Sequence, residues 1–321
     1  MKLRQPAGTG RPPVRKGAGL ASFKTSFTAP LQHSLVLRAS KGELRRLVKI
    51  GRSIYVSLPR GWVESRGLGS GSVLVAETVE GGLLLRPLGD REEEAKVRRI
   101  EGGGVRDVVK AYLAGYDVIE VEKPTDDLLK GGLEKLLKLL VGLEVVEESG
   151  SKLVLQCFIK GEYDVKGVLS RMDSLSRSMY VDAAAALESG DAAALESVRA
   201  RDDKLDRLYF LAVRLIRSSI QSPEIGAQSR LFLVDARLAA KILEEVGDEA
   251  ERMTYLEPAK GLVDAARKVA EYQESVVASF LRGRCYVERA PPLEPAGSPG
   301  AGGWTSLLRI RSLVSDLAEL T

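Results

Sequence analysis

Asp202 and Asp206 stand four residues apart, and so do Glu244 and Asp248. On a helix, residues four apart share one face, about 40° from each other. Each pair would therefore aim two carboxylates the same way. Four such groups converging on a groove between neighbouring helices would suit a hard or borderline cation such as Mg, Mn, Fe or Zn. Asp202 and Asp206 also continue the stripe of Tyr209 and Val213, an apolar face on which an uncompensated charge is costly. The same acids lie among Arg199, Arg201, Lys204, Arg207 and Arg252. Such mixtures usually mark a solvated helix face with weak ion pairs, so spacing alone leaves both readings open.

A second set is basic: Arg45, Arg46, Lys49, Arg52 and Arg60. On a strand, Arg45 and Lys49 share one face and Arg46 the other. Doubled in a dimer, these charges could grip the phosphates of a duplex; equally, they could rim an oligomerisation barrel. Other chemistries are poorly supplied. The single histidine, His33, leaves Ser/His/Asp catalysis and multi-His metal sites without material. Cys157 falls in an expected strand and reads as a buried structural thiol. Gly67-Leu68-Gly69-Ser70-Gly71 is followed by a strand and not a helix, so it matches neither a phosphate loop nor a dinucleotide fingerprint.

The elements that must position these residues can be read along the chain. With 321 residues, two domains are the soft expectation. At 44% hydrophobic and 29% charged, the composition is that of an ordinary soluble protein, and no apolar run reaches the ~18 residues of a spanning helix. Residues 1–42 hold eight Lys/Arg and no acid, so the rest of the chain, with 40 basic and 44 acidic side chains, is slightly acidic. The basic excess belongs to a Pro- and Gly-containing tail expected to be disordered; a transit peptide or a misplaced start would give a similar composition. Two cysteines make no disulfide framework, which points to a reducing, cytoplasmic compartment. The chain has no asparagine, as thermophile proteins or a GC-rich genome would favour.

Residues 43–90 read as β-β-α-β-β: strands 44–50 and 54–58, a short helix 60–66, then strands 72–78 and 83–87 around the turn Glu80-Gly81-Gly82. So short a unit buries too little core alone and should pair with a second copy. Residues 91–160 read as an α/β connector, with helices 105–113 and 127–141, a strand 116–121, and a hairpin of 143–148 with 152–158. Residues 161–321 read as helices near 164–189, 191–219, 226–254, 257–282 and 304–320, an antiparallel bundle interrupted by a Pro- and Gly-rich loop at 291–303. The fold class expected is multidomain α+β: a small dimeric β-barrel, the connector and the helical bundle.

Two resemblances overlie this reading. The run Arg46-Leu47-Val48-Lys49-Ile50-Gly51-Arg52-Ser53, with Val56-Ser57-Leu58-Pro59 and Trp62-Val63, resembles the AbrB/SpoVT swapped-hairpin domain. Residues 162–321 resemble a PhoU-type helical domain, through Arg201-Asp202-Asp203-Lys204-Leu205-Asp206-Arg207-Leu208 and Leu243-Glu244-Glu245-Val246-Gly247-Asp248-Glu249-Ala250-Glu251. Glu249 stands where that family commonly has His. Together with Ala111-Tyr112-Leu113-Ala114-Gly115-Tyr116-Asp117-Val118-Ile119, the order of segments resembles archaeal PhoU-like phosphate uptake regulators. The resemblance implies multinuclear iron or zinc on Asp202, Asp206, Glu244 and Asp248. It implies DNA contact through Arg45, Arg46, Lys49 and Arg52, and a homodimer formed by the swapped hairpins. Ser315-Asp316-Leu317-Ala318-Glu319 echoes a reduced second repeat without a second acidic helix, so one metal site per chain is the most expected. The function implied is non-enzymatic control of phosphate uptake, by repressing transport genes, by contacting the phosphate ABC transporter or its regulators, or both, without membrane insertion. Alternatives from other classes are a nucleoid- or antitoxin-type DNA binder whose helices only oligomerise, a carboxylate-metal hydrolase, and a scaffold with neither metal nor DNA.

Overall fold

A computed structural model describes residues 43–79, 82–88, 95–159, 163–222, 225–257, 260–286, 288–294 and 302–321. The basic tail at 1–42, the turn residues Glu80 and Gly81, Pro258 and most of the 291–303 loop lie outside the described residues. The chain divides into two compact units at Gly69/Ser70, within the stretch expected as one β-β-α-β-β module.

The first unit holds β1 (Val48–Ile50), β2 (Ser53–Tyr55) and α1 (Arg60–Ser65). The strands pair antiparallel from Val48↔Tyr55 to Ile50↔Ser53. Both are shorter than the sequence suggests, because residues 44–47 find no ladder partner among the described residues and the chain after Tyr55 turns toward Pro59, the residue that opens α1. Helix α1 ends as expected, with the Leu68 N–H donating to the Val63 carbonyl (2.9 Å) and the Gly67 N–H to Glu64 (3.1 Å), the paired bonds that satisfy a helix's last carbonyls.

The second unit opens with the hairpin β3 (Leu74–Val79) and β4 (Gly82–Pro87). Among the described residues, β1–β2 and β3–β4 are separate two-stranded sheets, and no closed barrel forms. An α/β layer follows: β5 (Val97–Glu101), α2 (Val105–Leu113), β6 (Val118–Glu122), α3 (Leu133–Leu139), β7 (Leu143–Glu148) and β8 (Lys152–Cys157). The sheet runs β5-β6-β8-β7, with β5 parallel to β6 and the other neighbours antiparallel. Strand β5 escaped the sequence reading because Arg98 and Arg99 interrupt its apolar pattern; it is an edge strand with exposed charges, a common way of blunting an edge. The helix expected over 127–141 is broken. Lys130 and Gly131 leave helical geometry, Gly131 at φ +93°, and only Leu133–Leu139 is regular α-helix. Tyr112, Ile119, Leu136, Leu140, Leu143, Leu153 and Leu155 fill this layer's core.

The bundle consists of α4 (Val165–Ser189), α5 (Ala192–Gln221), α6 (Ala227–Met253), α7 (Leu262–Arg282) and α8 (Gly303–Ala318). Asp164 caps α4 through the Gly167 N–H (2.7 Å), and Asp191 caps α5 through Ala193 and Ala194 (3.0 Å each). Helix α7 starts at Leu262, later than expected. Between α4 and α7 lies a buried polar network. Gln273 Nε2 donates to Asp173 Oδ1 and Ser176 Oγ (3.0 Å each), and Tyr180 donates to Gln273 Oε1 (3.2 Å). Arg177 completes it on Asp173 (3.1 Å). Each member is satisfied, so the network fixes the register of the two helices. Arg214 of α5, buried, ties the bundle to the α/β layer: its guanidinium donates to the carbonyls of Tyr112 (2.6 Å) and Tyr116 (2.9 Å) and lies over the Tyr112 ring.

Candidate functional site

The acidic pairs come together where α5 and α6 pack. A Cβ built on Gly247 would lie 2.1 Å from Leu205 Cδ2 and 3.8 Å from Asp202 Oδ1. Only glycine permits this approach, and it is the approach that brings the acids of α5 opposite those of α6. The electrostatics record the convergence. Asp202 is pushed up to about 7, first by burial and then by the charges of Asp206, Glu251, Asp248 and Asp203. Asp248 is raised to about 6 by burial, with Glu244 and Asp206 adding to the shift and Lys241 opposing it. Asp206 is raised by burial and then by Glu244. The four residues singled out by spacing therefore form one mutually repelling group.

Lys241, which the sequence reading did not single out, is the resident counter-charge. Its ammonium pairs with Glu244 and reaches Glu245 at 3.7 Å. Tyr209, on the same α5 stripe, accepts a 2.9 Å hydrogen bond from Arg237, whose guanidinium also sits over the ring. These cations cover one end of the acidic groove. Glu249 is turned to Arg252 (3.1 Å). The donor chemistry, carboxylate oxygens that repel one another, suits a hard or borderline cation. Among the described residues, however, no group of three or more His, Cys, Asp or Glu side chains is arranged to hold an ion.

The basic set lies in the first unit. Lys49 is on β1 and Arg52 in the β1–β2 turn, while Arg45 and Arg46 precede the strand and so do not share its alternation. Arg45 pairs with Glu43. Lys49, Arg46 and Arg52 are exposed. The hairpin is also apolar and bare: Leu47 is 71% exposed, Ile50 61% and Ile54 68%. Cys157 is buried beneath Tyr112 and Arg214, its thiol raised by burial, as a structural thiol should be.

Residues 169–255 match the family described as the PhoU domain. Residues 47–93 match the family described as antidote-toxin recognition MazE, bacterial antitoxin. The chain thus carries a MazE/AbrB-type domain followed by a PhoU domain. The PhoU match spans most of α4, all of α5 and all of α6, and so contains all four acids. No curated protein and no solved structure matches the chain. Among the described residues, no helix is long and apolar enough to cross a membrane.

Proposed function

We propose that the chain is a non-enzymatic regulator of phosphate uptake, in which a dimeric N-terminal domain contacts DNA and the helical domain carries a carboxylate metal centre. The observation that supports it most is the order of the two family matches, with the acid quartet inside the second. Phosphate-homeostasis regulation follows from the PhoU domain. The chain would act by repressing transport genes, by contacting the phosphate transporter, or both, with iron or zinc on Asp202, Asp206, Glu244 and Asp248. A cation there would relieve the repulsion among these acids and would compete with Lys241 for Glu244.

Burial favours a dimer. Covering one large aliphatic side chain contributes about 1.5–3 kcal/mol, and the β1–β2 hairpin leaves several uncovered. A second copy would cover them and double Arg45, Arg46, Lys49 and Arg52 on one surface, where phosphate contacts position a protein on a duplex.

The match to an antitoxin family favours a second reading, an antitoxin-type DNA binder whose helices only assemble chains. Transcript levels separate the two. In cells grown at high phosphate, deleting the gene should raise phosphate-transport transcripts, and the quadruple alanine variant of Arg45, Arg46, Lys49 and Arg52 should do the same. Unchanged transport transcripts, with growth arrest relieved by losing a neighbouring toxin gene, would support the antitoxin reading instead.

A further inference from the structure

Helix α5 separates its charges. Asp202, Asp206 and Tyr209 lie along one side, facing α6. Lys204, Arg207, Leu208 and Leu211 lie about 180° around the helix. That second side is not a plain solvated face. With Arg171 of α4 it borders a cavity of about 420 Å³, within the size range of small-molecule sites. Val141, in the turn between α3 and β7, lines one side of this open cavity, and Leu175, Leu208 and Leu211 supply an apolar floor.

Several cations of α4 and α5 are paired, while those around this cavity share with Lys166 and Arg217 the lack of a carboxylate partner among the described residues. On the same two helices, Arg177 pairs with Asp173, Arg199 with Glu196, Arg201 with Asp182 and Arg214 with Asp117. Among the described residues, no carboxylate lies within ion-pair reach of Arg171, Lys204 or Arg207. Arg171 instead lies 5.7 Å above the ring of Tyr163, itself a wall of the cavity. Three like charges border one cavity, exposed to solvent, and a polyanion seated there would meet all three. A single carboxylate would balance one of them; a polyphosphate balances all three, and guanidinium groups match phosphate oxygens in forked pairs. The floor adds the second half of the specificity, since it offers aliphatic surface and no hydrogen-bonding partner for a bare inorganic ion.

The cavity is held open across its seam. The Tyr112 hydroxyl donates to the Val141 carbonyl (3.0 Å), and Arg214 holds the carbonyls of Tyr112 and Tyr116. The wall contributed by the α/β layer is thus tied to α5, and ligand binding pays little for ordering it.

We infer that this cavity is a binding site for a nucleoside polyphosphate, with the phosphates on Arg171, Lys204 and Arg207 and the base on the apolar floor. The inference depends on neither the DNA assignment nor the metal assignment above.

The test is isothermal titration calorimetry of the full-length protein at about 0.15 M salt, where exposed long-range charge effects are largely screened, without divalent metal. ATP and inorganic pyrophosphate are the probes. Wild type should bind one ATP per chain. The triple variant R171A/K204A/R207A should lose at least about tenfold in affinity, as expected for removing charge-assisted hydrogen bonds. Its eight tail cations stay in place and act as an internal control. Pyrophosphate should bind wild type at least about tenfold more weakly than ATP, because it leaves the floor uncovered. All three side chains are exposed, so an unchanged circular dichroism spectrum is expected; if the triple variant misfolds, the single charge reversal Lys204→Glu carries the same comparison. Absence of saturable ATP binding, equal affinity in wild type and variant, or pyrophosphate binding as tight as ATP would each overturn the assignment.

Discussion

Replacing Asp202 with Asn removes one negative charge from the α5–α6 groove and keeps the side chain's size. In the native state Asp202 is raised from 3.8 to about 7 by burial and by the acids around it. A raised carboxylate means that the native state holds its proton more tightly than the unfolded chain does. Stability from this group is therefore highest below the unfolded value and is lost as pH rises through about 7. At pH 8 the ionised Asp202 is a full penalty. At ~1.4 kcal/mol per pH unit the raw shift would correspond to about 4 kcal/mol. The side chain still touches solvent, and screening brings the expected figure to about 1–2 kcal/mol. For a unit of this size that is a rise in Tm of about 3–6 °C. Thermal unfolding of wild type and D202N, followed by circular dichroism with EDTA present, should show this gain at pH 8, a smaller one at pH 6, and almost none near pH 4. A variant less stable than wild type at pH 8, or a gain that does not shrink on acidification, would refute the repulsion argument.

Other expectations follow from the same geometry. Purified full-length protein should carry iron or zinc by elemental analysis, and D202N/E244Q should lose it; metal content unchanged by the double substitution would remove the site. Gly247→Ala should cost about 1–3 kcal/mol in chemical denaturation, because the new methyl meets the fully buried Leu205; an unchanged midpoint would mean that the helices can separate freely. Ile54→Asp should convert a dimer to a monomer in size-exclusion chromatography with light scattering, since a charge replaces an apolar side chain that only a partner would cover.

The helical half of the chain was legible because its signals are local. Asp164 and Asp191 announce their caps, and leucine and alanine spacing marks the buried stripes of α4 to α6. The i, i+4 acids were legible for the same reason, since spacing fixes which side chains share a face. Spacing does not say how close two helices come. That depends on Gly247 lying against Leu205, and with it go the opposition of the two acid pairs and the counter-charge from Lys241. The basic cavity was invisible for a related reason: Arg171 of α4 comes beside Lys204 and Arg207 of α5 only through the packing of the two helices, and Val141 joins the lining from a different layer. The shortened β1 has another cause. Residues 44–47 carry strand-like sequence, but residues 56–58, which the register would place opposite them, leave the ladder on the way to Pro59. Strand β5 shows the reverse case, a ladder formed beside β6 by a segment whose two arginines hide its pattern.

The proposed regulator would contact DNA through its first unit. The measurement is fluorescence anisotropy of full-length protein on a phosphate-transport promoter and on an unrelated duplex, across a salt series. The account predicts tighter binding to the promoter, with a salt slope that falls by roughly one for each phosphate contact removed from Arg45, Arg46, Lys49 and Arg52. Equal affinity for both duplexes, or binding that survives alanine at all four positions, would contradict it.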